Sequence, residues 1–544
     1  MKYLNKTIAT VLAGAMLTAC ADLDVEPLGS TVTSDQKEEV ASIDPGKLLA
    51  SVTGIPAMLT AFGSLTGGSA SDEQWDIGYP ALFLASDLRG MDMYSINTGY
   101  NWYLSPMQWS DADQNSQFGY NPWGYNYDLI RACNSVLETA LPAIDPEATD
   151  ATTNESKFYA AQALAFRAMA YLYLVQSYQF TFDGNQDAEA VPIITEENQN
   201  EAAVNGCANS TVAEVYTQIL SDLDKAVSFM EGNPVTPASV VSSKPKRFFN
   251  LAAVYGLRAR TKLVKTDWAG AVADADKAIA TFNGAPLSLT DAAKPGFNSA
   301  LASNWMLGIV VAETDRVVTT GICNFPSHMG SFSYGYATAV GAFKWINDKL
   351  YNTISFTDVR KGWWLDEAGE SANLTAEQQA YVADCGASAG VQVKFAPYQD
   401  KVDNDVNASD IPLMRIEEMY LIKAEAEGMQ SVATGMQTLS DFVKTYRDAS
   451  YTFTTTDAAE FRDEVWRQRR IELWGEGFSY FDMLRLKKAL DRRGGGWPAA
   501  AVYYVEPTDW AMVYCTPQAE VQTNKAMNGN YNHECGTRPS PVAN

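Results

Sequence analysis

Residues Ser156 to Phe180 read SKFYAAQALAFRAMAYLYLVQSYQF. Within them Phe158, Ala161, Leu164, Ala165, Ala168, Tyr171, Leu172, Val175 and Tyr178 recur at three- and four-residue steps. That period belongs to one face of an α-helix, and a face this broad must be covered by other elements. The preceding segment, Trp123 to Leu141, is the predicted partner. Working outward, a second pair spans Thr211 to Met230 and Phe248 to Leu263. The stretch from Pro234 to Pro245 breaks the two apart. Thr211 is a predicted N-cap, with Glu214 closing a capping box.

A further helix is predicted over Trp268 to Phe282, where Ala271, Ala275 and Ala278 are spaced for close helix contact. A last group covers Leu413 to Met429, Met436 to Tyr446 and Ala458 to Leu490. Aromatic, alanine and leucine residues recurring in paired helices resemble degenerate tetratricopeptide repeats. The fold class predicted is mostly α: a superhelix of tetratricopeptide-like helix pairs with long irregular loop insertions and minor β structure. The pairs lie around 121–282 and 411–491. The insertions lie at 66–118 and 284–410, where Gly, Ser, Asn and aromatic residues predominate and only about Val340 to Tyr351 keeps a helical period. Long insertions on a repetitive scaffold are where binding surfaces usually sit.

The N-terminus has its own logic. Lys2 and Lys6 precede an apolar run from Ile8 to Leu17, which Leu17-Thr18-Ala19-Cys20 closes. About 20 apolar residues are needed to cross a bilayer, so this shorter run reads as a cleaved signal over residues 1–19. Residues 20–40 then form a polar tether, and 41–544 a single domain. Leu-Thr-Ala-Cys resembles the bacterial lipobox, which makes Cys20 the expected lipid anchor. Acyl chains add about 0.8 kcal/mol per buried methylene, enough in combination to hold a chain at a membrane without a spanning helix. The formal charge of −25 argues against nucleic acid as a partner. Of seven cysteines, six follow Cys20, and none forms a Cys-x-x-Cys motif. Export permits disulfides, and Cys515 with Cys535 is the pair nearest in sequence.

Catalytic signatures are sparse. Two histidines, His328 and His533, do not supply the usual metal ligand sets or a Ser-His-Asp triad. The sequences Asp111-x-Asp113-x-Asn115 and Asp403-x-Asp405-x-Asn407 imitate the start of a calcium loop. Each lacks the sixth-position glycine and the closing glutamate, so both read as solvated turns. Glu472 and Glu476, four apart, would share a helix face and could serve as a glycosidase pair. Arg467, Arg469 and Arg470 crowd the same stretch, however, and cations favour ionised carboxylates where a general acid needs the reverse. An internal ion-pair network is the expected reading. No cofactor or metal is expected.

Four stretches carry a family resemblance: DIGYP at Asp76–Pro80 with DLRGMDM at Asp87–Met93, LAFRAMAYLYLV at Leu164–Val175, PLMRIEEMYLIKAEA at Pro412–Ala426, and RRIELWGEGF at Arg469–Phe478 continuing to Tyr480-Phe481-Asp482 and Leu484-Arg485. Pro517-Gln518-x-Glu520, within Tyr514 to Asn524, is similar to the family's ending. With the lipobox, these resemble the SusD/RagB family of nutrient-uptake lipoproteins. The resemblance implies a non-catalytic protein of the cell outer membrane, lipid-anchored and facing outward. Its partner would be a SusC-like TonB-dependent transporter, and its cargo oligosaccharides or, in some members, peptides. It also implies that Arg415, Glu425 and the arginine-rich helix are packing residues.

Three functions remain in view: a glycan-binding component, a peptide-binding component, and a scaffold for protein partners. Aromatic residues make up 11% of the chain, and many fall in the insertions. Flat rings in loops suit sugar faces, with neighbouring amides for hydroxyls. The predicted ligand-binding residues are therefore two aromatic clusters. One is Asn101, Trp102 and Tyr103, directly after Tyr100; the other is Phe332, Tyr334 and Tyr336. The alternate spacing of the second cluster also fits a strand that buries one face.

Overall fold

The computed structural model describes residues 48–63, 74–100 and 102–544. The expected signal, Cys20 and the tether lie outside the described residues, as does Asn101. The principal helices are α1 (Leu48–Ala57), α2 (Pro80–Arg89), α3 (Gln117–Ala140), α4 (Ala151–Tyr178), α5 (Val212–Met230), α6 (Leu251–Val264), α7 (Trp268–Thr281), α8 (Ile416–Gly428), α9 (Val432–Tyr446), α10 (Ala458–Glu472) and α11 (Ser479–Arg485). Two short strand pairs join distant parts of the chain. Strand β1 (Met93–Tyr94) lies antiparallel to β3 (Trp345–Ile346), and β2 (Trp305–Ile309) lies antiparallel to β4 (Ile411–Arg415).

The stretch at Ser156–Phe180 forms the body of α4, which packs on α3, α5 and α1. Alone among the described helices, α4 is long and apolar enough to cross a membrane, yet its apolar window is entirely buried in the protein. Alanines at 160, 161, 163, 165, 168 and 170 let neighbours approach on all sides. The series continues through α6 on α7, α7 on α8 and α8 on α9, a superhelix of helix pairs, and α10 returns against α8. Ala271, Ala275 and Ala278 of α7 are wholly buried, as close contact requires. The capping box forms: Thr211 N–H donates to Glu214 at 2.8 Å, and Glu214 N–H to Thr211 Oγ1 at 3.3 Å. Asp150, Asn250 and Asp267 cap α4, α6 and α7, each cap being worth about 1 kcal/mol.

Forked Arg–carboxylate pairs join helices to one another, some successive and some distant in the chain. Arg167 of α4 grips Asp222 of α5 with two bonds of 2.8 Å. Arg258 of α6 holds Asp274 of α7, and Arg260 of α6 holds Glu418 of α8 at 2.7 Å. Glu425 of α8 accepts from Arg485 of α11 at 2.6 and 2.7 Å. Two parallel bonds fix orientation as well as distance, so each pair sets the register of one helix on the other.

Several boundaries depart from the sequence reading. The segment Leu413–Met429 opens as strand β4, because Ile411–Arg415 pairs with β2, and turns helical only at Ile416. The helix from Ala458 stops at Glu472. Gly475 and Gly477 follow with φ of 78° and 81°, and α11 begins at Ser479. A Cβ at Gly477 would lie 2.7 Å from the Phe83 ring, so glycine is needed for contact as well as for backbone. No single helix spans 340–351: Gly341 takes φ of 68°, β3 intervenes, and Asn347 caps a new turn, Asp348–Asn352. Within the first insertion α2 is a full helix, missed because every one of its residues is buried and no stripe shows. Cys515 and Cys535 form a disulfide, with Cα atoms 5.3 Å apart.

Candidate functional site

The glutamate pair lies at the scaffold's centre. Because α10 ends at Glu472, Glu472 and Glu476 do not share a helix face; they converge instead on Arg415. Glu472 accepts from Arg415 at 3.0 Å, from Arg447 at 2.7 and 2.8 Å and from Arg360 at 3.2 Å. Glu476 accepts from Arg415 at 2.8 Å and from Lys394 at 2.6 Å. The adjacent arginines are engaged elsewhere, Arg467 by Glu464, Arg469 by Asp482 and Arg470 by Asp92. Burial alone would raise Glu472, but the guanidiniums of Arg447, Arg415 and Arg360 outweigh it and hold the carboxyl well below its usual range. Arg415 and Lys394 likewise lower Glu476 against burial. Two ionised, fully paired carboxylates hold no proton to donate. The nearby cavity of about 70 Å³, lined by Arg260, Arg469, Glu476 and Phe478, is far smaller than the about 300 Å³ at which ligand pockets begin.

The other candidate lies in the insertions, and the structure brings the two aromatic clusters together. The Tyr100 and Tyr336 rings meet edge-on at 6.1 Å. Tyr336 packs on His328 at 4.6 Å, and His328 on Tyr103 at 5.1 Å, so four rings run continuously from surface to core. Pairing of β1 with β3 sets this up, laying Met93 against Ile346 and Tyr94 against Trp345. Ser95 Oγ then donates to Phe343 O at 2.8 Å, and an Asx turn, Gly99 N–H to Asn97 Oδ1 at 2.8 Å, brings the chain round to Tyr100. On the other strip Gly335 sits so close to Ser327 that a Cβ would lie 2.7 Å from its Cα, and Tyr336 N–H donates to Ser327 Oγ at 2.6 Å.

The individual residues divide by exposure. Tyr100 is 61% exposed and Tyr334 54%, so both offer a ring to solvent. Trp102 is half-buried against the core. Tyr336 is buried but supports Tyr100. Tyr103 and Phe332 are core residues, at 2% and 0% exposure, and present no face to a ligand in this conformation. The alternation 332, 334, 336 is thus two rings inward and one outward. It is not a strand, for Tyr336 opens a short helix, Tyr336–Val340.

Sequence reasoning did not find the third contributor, the loop 398–407. Asp403 N–H donates to Phe332 O at 2.8 Å, and Asn407 Nδ2 to Tyr334 O at 2.9 Å. The second calcium-loop imitation therefore braces the aromatic strip. The first is tied elsewhere, with Asp111 paired to Arg89 and accepting from Tyr514 at 2.8 Å. Gln399, Asp400, Asp403 and Asn407 all hold positive φ, as does Tyr103, and such clusters of strained backbone favour functional sites. His328, also overlooked, is neutral: burial, then the charge of Lys344, hold it well below its usual value. Lys344, itself buried, is pushed down to about 7.

Two family models match this chain. One, described as starch-binding and associating with the outer membrane, covers residues 83–263; the other, the SusD family, covers 350–533. The chain belongs to the SusD/RagB family. Its fold is similar to that of a SusD-like carbohydrate binding protein from Bacteroides vulgatus, at 23% identity and a TM-score of 0.71 over 89% of this chain and 97% of that one. A SusD superfamily protein from Bacteroides thetaiotaomicron gives 20% identity and 0.67, over 90% and 99%. Surface glycan-binding protein A from the same species, solved with laminarihexaose, gives 16% and 0.62, over 89% and 98%. Among curated proteins nothing matches. At these identities the similarities establish the shared SusD-like fold, and the aromatic face is read from this chain's own residues.

Proposed function

We propose that this protein is a surface-exposed outer-membrane lipoprotein that captures oligosaccharides and passes them to a SusC-like TonB-dependent transporter, without catalysing a reaction on them. The observation that carries the reading is the meeting of two loop strips more than 200 residues apart, with Tyr100 and Tyr334 turned outward and Trp102 half-open. Open rings stack on the apolar faces of sugars, whereas a scaffold that bound only proteins would have no need to assemble them from distant insertions. Membership of SusD/RagB, and a fold shared with a protein solved holding laminarihexaose, support the saccharide class. The full pairing of Glu472 and Glu476 supports a binding role over hydrolysis.

Residues 1–19 are the signal, Cys20 carries the lipid, 20–40 form the tether, and 41–544 are one domain. Binding of the full chain, purified in detergent, to a glycan panel and to a peptide library tests the cargo. Saccharide binding is expected; peptide binding alone would overturn it. Cys20→Ala is expected to abolish acylation. A variant still acylated in the outer-membrane fraction would refute the anchor.

A further inference from the structure

The two aromatic strips contain no charged residue: residues 94–110 and 330–343 are devoid of Asp, Glu, Lys and Arg. Charge reaches the face from the loop 398–407, which carries Asp400, Asp403 and Asp405 against Lys401. All four side chains are exposed. The loop is bound directly to the platform. Asn407 Nδ2 contacts both Tyr334 O and Asp405 O, at 2.9 and 3.4 Å, and Asp403 N–H donates to Phe332 O. A parallel bridge joins Ser333 to Asn404. Tyr398 at the loop's start donates to a further acid, Glu313, at 2.8 Å. Asp400 and Asp403 are two of the loop's four positive-φ residues, and Asn298 Nδ2 donates to Asp400 at 2.8 Å, so the acids stand on a braced loop, a rim at the edge of the face.

We infer that the rim selects the class of saccharide: this protein takes neutral glycans and rejects those bearing uronic acid carboxylates or sulfates. The inference rests on the saccharide reading above and adds its charge. Asp403 and Asp405 border the ring platform without forming it, and they act at a distance, through repulsion. Between exposed groups a few ångströms apart, each repulsive contact is worth a factor of several at low salt and fades as the Debye length shrinks. With two or three acids facing an anionic sugar, the discrimination is expected to be about tenfold or more at low ionic strength.

The test uses the full chain in detergent, a neutral oligosaccharide that it binds on the panel, and the carboxymethylated form of that same oligosaccharide. Wild type is expected to bind the neutral form at least tenfold more tightly at low salt, with the gap closing at high salt. Asp403→Asn/Asp405→Asn keeps the side-chain shape, so it should leave neutral binding within about twofold and recover most of the loss for the charged form. Failure of the double variant to recover binding would mean that bulk rather than charge excludes the derivative, and would overturn the inference. Wild type that prefers uronate or sulfated oligosaccharides would overturn the inference and leave the saccharide reading standing. Binding of no saccharide at all would overturn both.

Discussion

The helical scaffold and the loop face use opposite chemistries. In the scaffold, charges are buried and paired: Arg167, Arg258, Arg260, Arg415, Arg447 and Arg485 each clasp a carboxylate on another element. In the loop face, rings form the contacts, the strips carry no charge, and the backbone is held in left-handed conformations. A buried ion pair gives register, since its partners lose heavily when separated. An exposed ring in a braced loop gives a surface that costs the fold little when altered. The contrast teaches that damage to the first region should appear as stability, and damage to the second as affinity.

The largest effect expected is from Glu472→Ala. Removing one member of a buried pair costs about 3–5 kcal/mol, and here it takes one carboxylate from Arg447, Arg415 and Arg360 at once, leaving them to Glu417, Glu476 and Asp358. Thermal unfolding should move down by many degrees, and a melting curve like wild type would place Glu472 outside the structural network. Within the loop face itself, residues 332 and 334 sharpen the comparison. Phe332→Ala empties a core position and should cost about 3–5 kcal/mol. Tyr334→Ala should melt within about 0.5 kcal/mol of wild type and lose only binding. Equal melting losses for the two would erase the distinction between inner and outer rings.

Next in size is Trp102→Ala, which should lower ligand affinity by about 2 kcal/mol, an order of magnitude or more. Because Trp102 is half-buried, a modest drop in melting temperature should accompany it; calorimetry beside a melting curve separates the two. A smaller, pH-dependent effect belongs to Asp87 of α2. Burial raises it to about 8, although Gly477 N–H donates to it at 3.0 Å. The folded value lies above the unfolded 3.8, so the stability linked to its proton is complete below pH 3.8 and is lost as pH rises through 8. Glu472 and Glu476 have the opposite sign, losing stability as pH falls below 4.5. Asp87→Asn, an isostere of the protonated acid, should match wild type only below pH 3.8, and melt increasingly above it as pH rises to 9. A difference independent of pH would show that Asp87 does not fold protonated.

How much of the molecule is legible in its sequence depends on the reach of each interaction. The body of α4, the Thr211–Glu214 box and the close-packed alanines of α7 can be read because their signals are local. The break at Gly475 and Gly477 has a local signal too, but what fills the space a side chain would need comes from far along the chain: Phe83 at Gly477, and Met329 and Phe395 at Gly475. Glu472 can be recognised as an ion-pair member, yet the sequence points to Arg467, Arg469 and Arg470 of its own stretch as partners. The true ones, Arg360, Arg415 and Arg447, arrive from other elements. The face is half legible. Both aromatic strips stand out, but nothing local tells Phe332 from Tyr334, or ties Asp403-x-Asp405-x-Asn407 to either strip.

The most direct test of the two-region account is calorimetric titration of Tyr100→Ala/Tyr334→Ala, in the full chain, with an oligosaccharide that wild type binds. These exposed rings come from different insertions, one on each side of the face. The account predicts affinity reduced at least tenfold with the melting temperature unchanged. Wild-type affinity in the double variant would contradict it, and would place the ligand elsewhere on the protein.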